Sequence, residues 1–174
     1  MITKHMEIAI FQHLHKLGVY LCFEVGMPYF SEHSQQWLLT GGRCDERVDL
    51  LQYDSKGVWR FYELKLTKKD FYSKHKHTFY GHYNYFVMPI GLYEKVEKDI
   101  PSHVGVFGVG SDNANKLYVV SLKKAKKQSL GIDEEALKFK FMQALAREVS
   151  KHIFSEGCVI ERKEEQEVLN AANT

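Results

Sequence analysis

The chain has 174 residues, 44% of them hydrophobic and 26% charged, and a net charge of +2 at neutral pH. That length buries a core without disulfides or a structural metal, so one domain is the expectation, and the composition excludes a disordered or collagen-like chain. A net charge this small neither requires nor excludes nucleic acid, so the placing of the charges has to decide.

The three cysteines, Cys22, Cys44 and Cys158, are far apart and form no C-x-x-C pair, which argues against zinc and for a reduced, cytoplasmic protein. The first residues, MITKHMEIAIFQHLHKLG, hold no long apolar stretch; no signal peptide and no membrane span are expected.

Residues 4–17 read as a helix ending at Gly18, with Met6, Ile10, Phe11, Leu14 and Leu17 on one arc. Glu7 falls inside that arc, where a carboxylate costs free energy unless it is paired. It either serves a site or reaches around the helix to water or a local partner. VYLCFEV (19–25) alternates as a strand. Residues 26–45 contain Pro28, Gly41 and Gly42 and read as loop, with a short strand at WLL (37–39).

RVDLLQY and VWRFYELKL then flank the turn-rich DSKG and predict a β-hairpin. Thr67 followed by Asp70 matches a capping box, which predicts a helix from Lys68 to about Tyr80. YNYFVMP (83–89) is a strand, GLYEKVEKDIP a short helix, and HVGVFGV and KLYVVSL two strands joined by the polar SDNANK. A long helix is predicted from Asp133 to Ile153, with Leu137, Phe141, Leu145 and Val149 spaced four apart. The expected organisation is an α/β domain over residues 1–155, with a central mixed sheet flanked by helices, and a charged tail from 156 to 174.

Three charges in the hairpin do not suit a core. Glu63 and Lys65 share a strand face with Trp59 and Phe61, and the turn brings Asp49 opposite Glu63 or one position off it. Like charges raise each other's ionisation cost, and a divalent cation removes that conflict. Mg²⁺ takes oxygen ligands from one or two carboxylates, water and phosphate, and Lys65 beside it could orient a water or stabilise charge on a phosphate. The competing reading is a salt bridge on a solvated sheet face; the large apolar neighbours argue against it.

RVDLLQYDSKGVWRFYELK resembles the signature of the PD-(D/E)XK phosphodiesterase superfamily, with Asp49 as its first acid and Glu63-Leu64-Lys65 as its E-x-K element. Val48 stands where the usual Pro precedes the first acid. The run ELKLTKKDFYSKHKHTFYGHYNYFVMP is similar to small bacterial and phage-borne members associated with DNA repair. The resemblance implies a restriction-endonuclease-like fold and Mg²⁺- or Mn²⁺-dependent hydrolysis of DNA. It implies Asp49, Glu63, the Leu64 carbonyl and Glu7 as metal ligands, with Lys65 positioning the attacking water. Cleavage of both strands would need a homodimer or two events, and no small-molecule cofactor is implied. A non-catalytic nucleic-acid- or protein-binding module on the same fold, such as a phage-type accessory protein, is the alternative.

Arg47 shares a face with Asp49 and suits either a phosphate or an ion pair with an acid. Lys68, Lys69, Lys74 and Lys76 lie among aromatic residues, a mixture that suits nucleic acid; a helix with rings inward and lysines outward is the plainer reading. Lys123 and Lys124 open the basic run KKAKKQ, either a DNA-backbone contact or a solvated loop. His75, His77 and His82 lack any metal-ligand spacing and read as solvated.

Overall fold

The computed structural model describes residues 3–32, 36–38, 46–73 and 79–155. Helix α1 (Thr3–Leu14) buries Met6, Ala9 and Ile10. It stops short of the predicted end, and Leu17 is fully exposed. The reason is local: Gly18 adopts a left-handed φ of 76° and turns the chain into strand β1 (Val19–Gly26).

Strand β1 pairs antiparallel with β4 (Arg47–Asp54), and β4 pairs antiparallel with β5 (Trp59–Leu64). This is the predicted hairpin. Its turn is held by Asp54, whose Oδ1 accepts from the Lys56 N–H (2.9 Å) and the Val58 N–H (3.1 Å). Gly57, at φ 75°, supplies the left-handed residue that closes it. Arg60 Nη1 reaches Asp54 Oδ2 at 2.6 Å. Between β1 and β4, β2 (Tyr29–Ser31) and β3 (Gln36–Leu38) form a separate antiparallel pair. The sequence signals the second of these strands; Tyr29–Ser31 is too short to show a period.

Strand β5 runs parallel to β6 (Tyr83–Pro89), and β6 parallel to β7 (Gly105–Ser111). The crossovers carry α2 (Lys68–Phe71) and α3 (Ile90–Val96), the latter continued by one 3₁₀ turn (Glu97–Asp99). Strand β8 (Leu117–Lys123) returns antiparallel to β7. The result is a six-stranded mixed sheet in the order β1-β4-β5-β6-β7-β8.

Helix α2 is much shorter than predicted. Its start is as expected: Thr67 caps it, its hydroxyl accepting from the Asp70 N–H. After Phe71 the chain turns, and residues 74–78 lie outside the described residues. Phe79 packs edge-on against Phe86, and the Tyr80 hydroxyl donates to Glu46 Oε2 at 2.8 Å. These contacts hold 79–80 outside any helix.

The alternation of the strands divides the core in two. On one face Met6, Ala9 and Ile10 of α1 meet Leu50, Tyr62, Leu64 and Val87. On the other, Phe71 and the apolar side of α3 meet Phe86, Met88 and Val106. Helix α4 (Glu134–Ser155) is capped by Asp133, whose Oδ1 accepts from the Ala136 N–H at 2.8 Å. Its Phe141 meets the fully buried Trp59 edge to face at 5.6 Å. Of the four-residue series, Leu137 and Phe141 are buried, whereas Val149 is exposed.

The chain divides into two compact units, Met1–Ala144 and Leu145–Thr174. The first contains the whole sheet and the candidate site. The second is described to Ser155 and is helical there; the predicted tail, 156–174, lies outside the described residues. No helix among the described residues is long and apolar enough to cross a membrane.

Candidate functional site

The site sits where the sheet forks. Strands β4 and β5 pair from Tyr53–Trp59 up to Leu50–Tyr62. Asp54 N donates to Val58 O, so the residues of β4 bonded to β5 are alternate ones: 54, then 52, then 50. The next bonded pair would be Val48 with Leu64. It does not form. Instead Leu64 N donates to the side chain of Asp49, at 2.7 Å from Oδ2. Beyond this point β4 stays with β1 as far as Gly26–Arg47, and β5 stays with β6, where Lys65 N donates to Val87 O at 2.9 Å. Asp49 bridges the opening.

The fork has a counterpart in the pairing of β4 with β1. The β1–β4 ladder keeps one register throughout, but its hydrogen bonding changes phase. Ser55 N donates to Gly18 O near one end and Met27 N to Glu46 O at the other. Bonded pairs in a regular antiparallel ladder recur every second residue, so these two do not belong to one series. Between them lies Glu24, at φ 54° and opposite Asp49. A left-handed residue other than Gly or Asn in mid-strand is uncommon. Here it turns the β1–β4 bonding about at the level of Asp49. Glu24 also pairs with Arg47, Oε2 to Nη1 at 2.9 Å.

Burial pushes the pKa of Asp49 up from its ordinary value. The Leu64 N–H and the Lys65 ammonium oppose that, while the charges of Glu24 and Asp70 add to it. Glu63 on β5 and Lys65, the first residue past its end, are both buried, each with 5% of its surface exposed. The reading of these two as a solvated face is therefore overturned. Continuing the β4–β5 register by one residue sets Asp49 against Glu63, as expected from the hairpin spacing. Lys65 Nζ lies 3.9 Å from Asp70 Oδ1, and Asp70 Oδ2 accepts from Leu66 N at 3.0 Å.

In an extended strand the N–H and C=O of one residue point to the same edge. Leu64 donates toward β4, so its carbonyl also faces the fork. Two carboxylates and a carbonyl are hard oxygen donors of the kind Mg²⁺ takes, with water or phosphate filling the remaining positions. In donor chemistry the residues fit the ion that the resemblance implies. They are not gathered into a ready cage: among the described residues, no three His, Cys, Asp or Glu side chains form a metal-holding group.

Glu7 is placed apart. It pairs within α1 with Lys4, at 3.0 Å. Helix α1 covers the face carrying Leu50, Tyr62 and Leu64, and strand alternation sends Glu63 and Lys65 to the other face.

The basic residues separate in the same way. Arg47 is engaged by Glu24. Lys68 and Lys69 are exposed at the start of α2, Lys68 Nζ lying 5.8 Å from the centre of the Tyr72 ring. Lys74 and Lys76 lie outside the described residues. Lys123 donates to Ile100 O (3.2 Å) and Pro101 O (2.8 Å), closing the 3₁₀ turn, and burial, with Lys126 nearby, pushes its pKa down. Lys124 is exposed. His82 has a structural part: its Nδ1 accepts from Trp59 N at 3.0 Å.

Two residues at the fork escaped the sequence reading as site groups, Glu24 and Asp70. Asp70 was visible only as a helix cap. Glu24 sits at a polar position of an alternating strand, and nothing in the sequence marks its backbone as left-handed.

No family model matches this chain, and no curated protein matches it. Among solved structures it is similar to a protein of unknown function from Silicibacter pomeroyi, with a TM-score of 0.60 and 17% identity over 90% of this chain and 94% of the other. At that identity the likeness concerns the fold: a mixed α/β protein whose six-stranded sheet is flanked by helices.

Proposed function

We propose that this protein is a metal-dependent DNA nuclease built on a restriction-endonuclease-like fold. The observation that carries the proposal is the fork itself: Asp49 spans the opening between β4 and β5, with buried Glu63 and Lys65 beside it. A hydrophobic core has no use for a buried acid near the end of a strand and a buried lysine two residues on.

In this reading Asp49, Glu63 and the Leu64 carbonyl hold Mg²⁺ or Mn²⁺. The ion would supply Lewis-acid activation at the scissile phosphate. Lys65 donates hydrogen bonds to the attacking water and to the phosphate oxygens as their charge builds. Lys68 and Lys69, exposed on the helix that follows, meet flanking phosphates. Glu7, paired with Lys4 on the far face, has no part in the first set of ligands.

The unassembled ligand set favours a second reading, a DNA-binding module that does not cleave. The two separate on one assay. Single-stranded, duplex and branched DNA are incubated with the protein in Mg²⁺ or Mn²⁺, with and without EDTA. Cleavage abolished by EDTA supports the nuclease; retention on DNA without cleavage in either metal supports the module.

A further inference from the structure

We infer that Asp70 is the positioning residue for Lys65, and that the segment Lys65–Asp70 is a closed unit built to hold one ammonium still. The inference rests on the nuclease reading for what that ammonium does, but the pairing stands on its own geometry.

Lys65 is buried, and a buried ammonium needs a counter-charge. Asp70 supplies it, with Oδ1 3.9 Å from Nζ. The other oxygen of Asp70 is fixed, accepting from Leu66 N at 3.0 Å. The backbone of Asp70 is fixed too, its N–H donating to Thr67 Oγ1 at 3.1 Å. The peptide that follows Lys65 is therefore tied to the acid that faces the Lys65 side chain. An ordinary capping box uses its acid to satisfy the N–H of the cap residue itself. Here the acid binds one residue earlier, at Leu66, and that leaves Oδ1 turned to the lysine.

The sequence form of the unit is K-x-T-x-x-D, residues 65–70. It makes the helix cap and the orientation of the lysine one structure. The charge of Lys65 also acts on Asp49, the acid bridging the fork. Asp70 lies within ion-pair distance of that ammonium. Asp70 touches neither metal nor substrate in this account; it acts through Lys65.

Two measurements test this on the full chain, with Asp70→Asn and Asp70→Ser. Both variants keep an oxygen for Leu66 N and remove the charge, and Asp70 is part-exposed, so the fold tolerates them. The first measurement is trace acetylation by acetic anhydride, read by peptide mass spectrometry as Lys65 modification relative to Lys68 and Lys69. The expected result is a several-fold rise at Lys65 in both variants. The second is steady-state DNA cleavage. A lysine released from its position should lower kcat by about 10- to 100-fold with KM little changed, the size of effect that a misplacement of about 1 Å causes. Unchanged acetylation overturns the inference, whatever the activity. A rise in acetylation with kcat unchanged overturns the positioning role. A wild-type protein that cleaves nothing, yet shows the acetylation change, removes the nuclease reading and upholds the Asp70–Lys65 pair.

Discussion

Asp49 Oδ2 accepts a 2.7 Å hydrogen bond from Leu64 N at the point where β4 and β5 part. A side chain here does what the Val48 carbonyl would do in a continuous ladder. Neutral Asn offers the same oxygen, so the bond does not explain why the residue is an acid.

Asp49→Asn separates the charge from the bond. Burial raises the pKa of Asp49 above its ordinary 3.8, so the folded chain binds the proton more tightly than the unfolded chain does. Stability is then greatest below the unfolded value and falls as pH rises through the raised folded value, and at neutral pH the whole penalty is present. In metal-free buffer Asp49→Asn should melt at a higher temperature than wild type at pH 7, with the difference closing below the unfolded value. Cleavage should fall by about 100-fold or more, as for loss of one electrostatic group at a reacting phosphate. Paired thermal melts across pH, with the DNA assay at pH 7, check both.

Lys65→Met removes a buried ammonium from beside the carboxylates of Asp49 and Asp70, and taking one partner out of a buried charge set costs a fold about 3–5 kcal/mol. Its melting temperature should fall, and its cleavage rate, measured well below the melt on folded protein, should drop by about 10²- to 10⁴-fold. Glu63→Gln should weaken the heat of Mn²⁺ binding in titration calorimetry, a readout that needs no substrate.

Glu24 tests the origin of the fork. Its φ of 54° suits Gly and penalises a β-branched residue. Glu24→Val should be less stable than Glu24→Gly by about 1–2 kcal/mol in urea unfolding. Both lose the exposed pair with Arg47, which is worth little, so the difference between them isolates the backbone. Equal stabilities would mean that the left-handed residue does not govern the change of hydrogen-bond phase.

Asp54 holds the hairpin from which the fork opens. The Asp54 pKa is lowered although burial opposes it, because Arg60 and the Val58 and Lys56 N–H groups favour the charged form. The folded state therefore favours the carboxylate. The stability it contributes is present above 3.8 and is lost as pH falls through the lower folded value. Asp54→Ala should cost about 1–3 kcal/mol at pH 7 and less in acid, as urea titrations at the two pH values would record.

The hairpin was legible because period-two alternation and the DSKG turn agree, and register then followed from loop length. That is also why Asp49, Glu63 and Lys65 could be brought together from the sequence alone. The fork was not legible. It coincides with a left-handed backbone angle at Glu24, twenty-five residues before Asp49 and opposite it only once the sheet has formed. The place of Glu7 relative to the fork was not legible for a related reason. Its place on an apolar arc is real, but the helix lies on the other face of the sheet from Glu63 and Lys65, and helical periodicity carries no information about which face a helix covers. The run 68–80 read as one helix because the Thr67–Asp70 capping box marks a start and no stop; helix α2 closes at Phe71, and the contacts of Phe79 and Tyr80 hold those two residues outside a helix. Lys123, by charge either a DNA-backbone contact or a solvated loop residue, donates to two carbonyls, which its place in a basic run does not signal.

The most direct test is cleavage of DNA by wild type and Lys65→Met in Mg²⁺ and Mn²⁺, with and without EDTA, at matched binding. Metal-dependent cleavage by wild type that Lys65→Met loses, while still binding DNA, is the expected result. Cleavage of equal rate in Lys65→Met, or DNA binding by wild type with no cleavage in either metal, would contradict the account.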